Sequence, residues 1–144
     1  MSGKKLKPRL PLRVFCIEDN PLIVFHFEMM IEDLGHVFAG SSESFEDLRN
    51  QADTAAIDCA LVDIDLADGP TGPEAVLWLK ERGIPSAFVT GQELTAAQHC
   101  KSAVCTIGKP VSEAALAACL AALAAALAAG PRASTENRNS EMHP

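Results

Sequence analysis

The six residues Cys59-Ala60-Leu61-Val62-Asp63-Ile64 constrain the fold more than any other stretch, because all of them are apolar except Asp63. A short apolar run bounded by turn signals reads as a strand buried in a parallel sheet that is covered on both faces. A carboxylate near the end of such a strand is costly to bury. It belongs at the mouth of the sheet, where open α/β sheets bind their ligands. Ala67-Asp68-Gly69-Pro70-Thr71-Gly72-Pro73 follows and reads as a loop. Asp63 therefore stands where a strand runs out into a polar turn. An aspartate that merely closes a strand would look the same, so this stretch alone does not separate a site from a turn.

The rest of the chain supplies the neighbours of that strand. Leu12-Arg13-Val14-Phe15-Cys16-Ile17 is a compact apolar run and a first strand, ending in Glu18-Asp19-Asn20-Pro21. Asn20 suits a helix N-cap and Pro21 a first helical turn. Ile23, Phe27, Met30 and Leu34 then form one apolar stripe of a helix that Gly35 ends. His36–Gly40 reads as a second strand and Ser42–Gln51 as a modest helix. The third strand runs to Asp63, and a helix follows over Glu74–Arg82, stopped by Gly83. Ser86–Val89 is a fourth strand ending at Thr90-Gly91. Ala103–Ile107 is a fifth, ending at Gly108-Lys109-Pro110. A last helix spans Ser112–Ala129 with leucines at 116, 120, 123 and 127, and Gly130-Pro131 ends it. Strands and helices alternate throughout, which predicts a five-stranded, doubly wound parallel α/β sheet with right-handed crossovers.

Length and charge narrow the function classes. At 144 residues the chain reads as one domain, with 1–11 an N-terminal arm, 12–129 the folded unit and 130–144 a disordered polar tail. A net charge of -7 argues against nucleic acid, whose backbone attracts basic proteins. The basic start is not followed by the uninterrupted apolar run of a signal peptide. The uncharged run Ala114–Ala129 falls short of the roughly 20 residues of a membrane span. The five cysteines are odd in number, scattered and without a C-x-x-C spacing, which reads as reduced, buried thiols of a cytoplasmic protein.

All strand ends of a parallel sheet lie on one edge, so Glu18, Asp19, Asp63, Thr90 and Lys109 are expected together. Three carboxylates there repel one another. A hard divalent cation relieves this, and Mg²⁺ prefers carboxylates, carbonyls and water. A lysine and a hydroxyl beside the acids suit phosphoryl oxygens. The chemistry that uses all five residues is phosphoryl transfer to a carboxylate.

These residues, in this order, resemble a response-regulator receiver domain of the flavodoxin-like (βα)5 fold. The likeness rests on Glu18-Asp19 after the first strand, Asp63 after the third, Thr90 after the fourth and Lys109-Pro110 after the fifth. It implies Asp63 as phosphoacceptor, fed by a histidine kinase or histidine phosphotransferase. It implies Mg²⁺ held by Asp19 and Asp63 directly, by Glu18 through water, and by the backbone carbonyl of Asp65. Thr90 would be the switch hydroxyl, Lys109 the phosphoryl-binding cation, and Lys109-Pro110 a cis peptide. No catalysis is implied beyond self-catalysed phosphoryl transfer and autodephosphorylation. With about fifteen mostly polar residues after Ala129, output is expected through contact with an unknown downstream protein, through phosphate relay, or through a homodimer across the last strand and helix. Neither nucleic acid nor membrane is an expected partner.

The sequence also departs from the pattern. Receivers often carry an aromatic residue three places before the lysine, where Thr106 stands here, and the chain has no tyrosine. Gly72 arrives one residue later than usual, and Ala67 stands where proline is common. The short segment between Thr90 and Lys109 predicts a short or frayed fourth helix. Phe88-Val89-Thr90-Gly91 is similar to a single-domain subgroup with a Phe-Ala-Thr-Gly motif, although Gln92 and Glu93 replace the tyrosine found there. A degenerate receiver that binds partners without phosphorylation is the alternative reading. A haloacid-dehalogenase-like phosphatase is a remoter one. Asp63-Ile64-Asp65 has the D-x-D form, but that family places the motif after its first strand and has Thr or Val where Ala67 stands.

Overall fold

The computed structural model describes residues 11–91 and 102–142, the last of these by backbone alone from residue 130. The elements run β1 (Arg13–Ile17), α1 (Pro21–Asp33), β2 (Val37–Ser42), α2 (Phe45–Gln51), a 3-10 turn (Thr54–Ala56), β3 (Cys59–Val62), α3 (Gly72–Glu81), β4 (Ser86–Thr90), β5 (Cys105–Gly108) and the last helix, α4 (Glu113–Met142). The five strands form one sheet in the order β2-β1-β3-β4-β5, and every pairing is parallel. The expected fold class is therefore the one observed.

Strand alternation divides the core in two. Val14, Cys16, Cys59, Leu61, Ala87 and Val89 face one side and pack with Phe27, Met30 and Ile31 of α1 and Leu116, Leu120 and Leu123 of α4. Phe15, Ile17, Ala60, Val62 and Phe88 face the other and pack with Leu48 of α2 and Val76 and Leu79 of α3. Successive residues of a strand point to opposite faces. A run apolar on both faces thus needs helices on both, and the sheet has them. The Phe15 ring lies against Gly40, where an added Cβ would meet Cε1 at 3.2 Å. Gly40 also holds φ at 130°, which a side chain would resist. The β1–β2 pairing shifts register beside this contact, between Val14 and Phe15.

Local chemistry sets the helix ends. The Asn20 side chain accepts from Leu22 N at 3.0 Å and starts α1. Gly35 ends it with φ 88°, and His36 N donates back to the Ile31 carbonyl at 3.0 Å. The His36 Nδ1 accepts from Leu12 N at 3.0 Å, and burial holds the imidazole below its usual pKa.

Several boundaries differ from the sequence reading. β2 continues to Ser42, which pairs with Ile17. α2 then starts only at Phe45, because Ser44 takes the cap and accepts from Asp47 N at 2.9 Å. β3 stops at Val62, and Asp63 lies just beyond the ladder. β5 starts at Cys105, where pairing with Ala87 begins. α3 starts at Gly72, one residue before the proline, as an N1/N2 proline allows. α4 runs through Gly130-Pro131 to Met142. A proline removes one intrahelical donor and crowds the preceding turn but leaves φ helical, and the alanine run before it has the highest helix propensity. The expected short or frayed helix between β4 and β5 falls on 92–101, outside the described residues. So do residues 1–10 of the expected N-terminal arm. Lys109-Pro110 is a cis peptide. No described helix is long and apolar enough to cross a membrane.

Candidate functional site

β1 and β3 lie side by side with Ile17 opposite Val62. The next residue of each strand is Glu18 and Asp63, so two carboxylates leave the sheet together. The sequence neighbours of these strands, β2 and β4, lie to opposite sides. A crevice opens at such a switch point. Backbone bonds fix both positions: Glu18 N donates to the Ser42 carbonyl and Asp63 N to the Ile17 carbonyl, each at 2.9 Å.

Lys109 comes from the end of β5, beyond β4. Its backbone N–H donates to the Thr90 carbonyl at 3.1 Å. Its Nζ reaches Glu18 Oε1 at 3.1 Å and Asp63 Oδ2 at 3.2 Å. The other Glu18 oxygen accepts from Asn20 N at 3.2 Å. Asp19 stands exposed beside them, and ligand atoms of Glu18, Asp19 and Asp63 all lie within 4.8 Å of one another. Three carboxylates and one ammonium leave a surplus of negative charge in a low-dielectric corner. Burial, then the charge of Asp63, pushes the Glu18 pKa above the usual carboxylate range, with Lys109 opposing. Burial works against the Lys109 ammonium, but the charges of Asp63 and Glu18 outweigh it and raise its pKa. This donor set, all carboxylate and open to solvent on the Asp19 side, fits a hard divalent cation.

Thr90 is buried at the end of β4, opposite Gly108 of β5. Asp65 is exposed in the loop beyond Asp63 and is not one of the three clustered carboxylates. Thr106 is exposed on β5, across from Phe88. An open cavity of about 300 Å³ extends from Glu18 and Asp19 along Ser42 and Glu43 to Asp47.

Two residues matter more than the sequence suggested. Gly72 N donates to the Ile64 carbonyl at 2.9 Å. A Cβ on Gly72 would overlap the Asp63 carbonyl oxygen and come to 2.6 Å of Ile64 Cα. Gly72 is thus the floor against which the Asp63 backbone rests. Asp68, read as a plain loop residue, accepts from Phe45 N and Glu46 N at 3.2 Å each and from Thr71 Oγ1 at 2.7 Å. These bonds hold its pKa below the usual value although burial acts the other way. A glycine-rich loop hinted at the first. Nothing local signalled the second's hold on α2, whose backbone donors are 22 and 23 residues away.

No protein-family model matches the chain. Among curated proteins it is 33% identical over 91 residues to the phyllosphere-induced regulator PhyR of Methylorubrum extorquens, a match covering 62% of this chain and 34% of that one. The chain thus spans about a third of the length of that relative. Among solved structures, the receiver domain of the PhyR response regulator of Erythrobacter litoralis shares 28% of residues, with a TM-score of 0.64 over 73% of this chain and 83% of that one. The receiver domain of a modulated diguanylate cyclase from Desulfovibrio desulfuricans shares 27%, with a TM-score of 0.65 over 73% and 86%. With a parallel sheet of the order β2-β1-β3-β4-β5 and this likeness to solved receivers in both sequence and structure, the described residues have the fold of a response-regulator receiver domain.

Proposed function

We propose that the protein accepts a phosphoryl group onto Asp63 from a phosphohistidine donor, a histidine kinase or a histidine phosphotransferase, and passes the signal on through protein contact. The observation that carries this reading is the pairing of Lys109 with both Asp63 and Glu18 at 3.1–3.2 Å beside a third carboxylate. A carboxylate oxygen of Asp63 is the nucleophile. Lys109 leaves its carboxylate partners to hold an incoming phosphoryl oxygen. Buried Thr90, at the neighbouring strand end, offers its hydroxyl to another. Asp19 and Asp63, Glu18 through water, and the Asp65 carbonyl are the groups assigned to hold Mg²⁺. When bound, the ion neutralises charge on the phosphoryl oxygens.

The donor surface we assign is α1. Leu22, Phe25 and Met29 are exposed at helical spacing, and this helix starts at the rim of the acidic cavity. Output is assigned to a downstream protein, or to a second copy of the chain, across β5 and α4.

Incubation with acetyl phosphate and Mg²⁺, followed by intact-mass measurement, tests the reading. Wild type should gain one phosphoryl group and Asp63→Asn none. Wild type that gains none while still binding Mg²⁺ would favour the phosphorylation-independent binding module. Steady turnover of a phosphomonoester would favour the phosphatase.

A further inference from the structure

Cys105 and Cys119 have no part in the phosphoryl site, yet their Sγ atoms lie 2.8 Å apart. The first opens β5 and is half-buried. The second lies on α4 within the core and is 5% exposed. The other described cysteines, Cys16 and Cys59, are both buried. We propose that Cys105 and Cys119 form a dithiol site that hydrogen peroxide oxidises to a disulfide joining β5 to α4.

Each sulfur has a different role, set by its surroundings. Cys105 borders solvent, so a small oxidant reaches it first. Either sulfur can donate across this contact; with Cys119 as the donor the Cys105 thiolate is favoured, and the contact lowers the Cys105 pKa against the effect of burial. Cys119 is held as the thiol by that same contact and by burial. Burial also pushes the Cys59 thiol up to about 12 and raises that of Cys16 further, which leaves both unreactive. The Cys105 thiolate attacks one peroxide oxygen. The O–O bond breaks, hydroxide leaves and takes up a proton, and Cys105 becomes a sulfenic acid. The sulfur of Cys119 then attacks the Cys105 sulfur as its own proton joins the departing hydroxyl. The S–S bond forms and water leaves. Two thiols and one hydrogen peroxide give one disulfide and two waters, with two electrons passing from sulfur to oxygen. The sulfurs must approach by about 0.8 Å to reach the bonded distance of about 2.05 Å. In a reducing compartment such a bond is a transient, redox-sensing one.

The experiment treats the full chain with a few equivalents of hydrogen peroxide, quenches with an alkylating agent and maps the peptides by mass. The proposal expects a Cys105–Cys119 linked peptide, reversed by dithiothreitol. It expects Cys105 to be lost at least about tenfold faster than Cys16 or Cys59. In Cys119→Ser, Cys105 should stop at a sulfenic acid that dimedone traps. In Cys105→Ser, oxidation at Cys119 should fall to the rate of the buried thiols. The half-buried position of Cys105 keeps this second variant informative if the core variant fails to fold. The Cys100→Ser variant should give the same link as wild type. A link that maps to Cys59 or Cys100 overturns the proposal, as does over-oxidation of Cys105 without any link, or no reaction faster than that of Cys16.

Discussion

β1 and β3 carry a charged cluster at each end, and the two clusters are built on opposite plans. At the start of the strands, Arg13 meets Asp58: Nε and Nη2 donate to Oδ2 and Oδ1 at 3.1 and 2.8 Å, and Arg13 N donates to Oδ2 at 2.7 Å. One cation faces one anion, the fork is bidentate, and both partners reach water. At the far end, Lys109 faces Glu18 and Asp63 with Asp19 beside them. Glu18 is only 2% exposed there. The first cluster is satisfied and clasps two strands. The second holds more negative charge than its single cation neutralises, in a place where removing it from water is costly. The balanced pair has no charge left to offset, whereas the unbalanced cluster is where a bound cation would relieve the most repulsion.

Removing the centre of the unbalanced cluster should have the largest effect. Asp63→Asn is expected to lose phosphoryl acceptance from acetyl phosphate completely by intact mass, while Asp58→Asn at the opposite end keeps it. Phosphorylation that persists in Asp63→Asn, or maps to Asp65 or Asp68, would overturn the contrast between the two ends.

Disturbing the support of Asp63 comes next. Gly72→Ala pushes a Cβ into the Asp63-Ile64 backbone. Urea unfolding should show a loss of about 1–3 kcal/mol, the usual range for overpacking, together with slower phosphoryl acceptance. An unchanged midpoint would mean that the loop gives way freely and that Asp63 is not held by this contact.

Occupying the cluster is a smaller effect of opposite sign. Mg²⁺ at about ten times its Kd should stabilise the protein by roughly 1.4 kcal/mol, read as a rise of a few degrees in melting temperature. Asp19→Asn should abolish that increment more completely than Glu18→Gln, and Arg13→Ala should leave it intact. A melting temperature indifferent to millimolar Mg²⁺ would remove the cation from the reading.

The smallest effect belongs to the balanced clasp. Arg13→Ala should lower the melting temperature by less than the Mg²⁺ increment, and the loss should shrink as salt rises, because an exposed pair is screened. A loss larger than that of Gly72→Ala would reverse the ranking of the two ends.

Much of this was legible in the sequence for one reason. A parallel sheet delivers every strand end to one edge, so Glu18, Asp63, Thr90 and Lys109 needed only their strands to be recognised. Uninterrupted apolar runs, buried on both faces, made β1 and β3 plain. What escaped depended on contacts between distant segments. Ile31 belongs to the core cluster that α1 shares with the sheet and α4, and the stripe Ile23, Phe27, Met30, Leu34 omitted it. Asp68 looked like loop filler because its acceptor role is defined by backbone donors of another helix. β2 runs past Gly40 to Ser42 because the glycine makes room for the Phe15 ring within the strand. The contact of Cys105 with Cys119 joins a strand and a helix 14 residues apart and has no sequence signature.

The Asp68 contacts also bear on how this loop can change. The chain from Asp63 to Gly72 is pinned at several points. Leu66 and Gly69 exchange backbone hydrogen bonds at 2.8 and 3.0 Å, Ala67 N donates to the Glu43 carbonyl at 2.9 Å, and Gly72 N returns to Ile64. Asp68 then supplies the first turn of α2 with acceptors that the residues of that helix do not provide. Loops usually absorb insertions easily, but an added residue here would move Asp68 off α2 or Gly72 off Asp63. Length variation in relatives should therefore collect elsewhere on the surface, and a tag or domain inserted between Leu66 and Thr71 should uncap a helix that the insertion never touches.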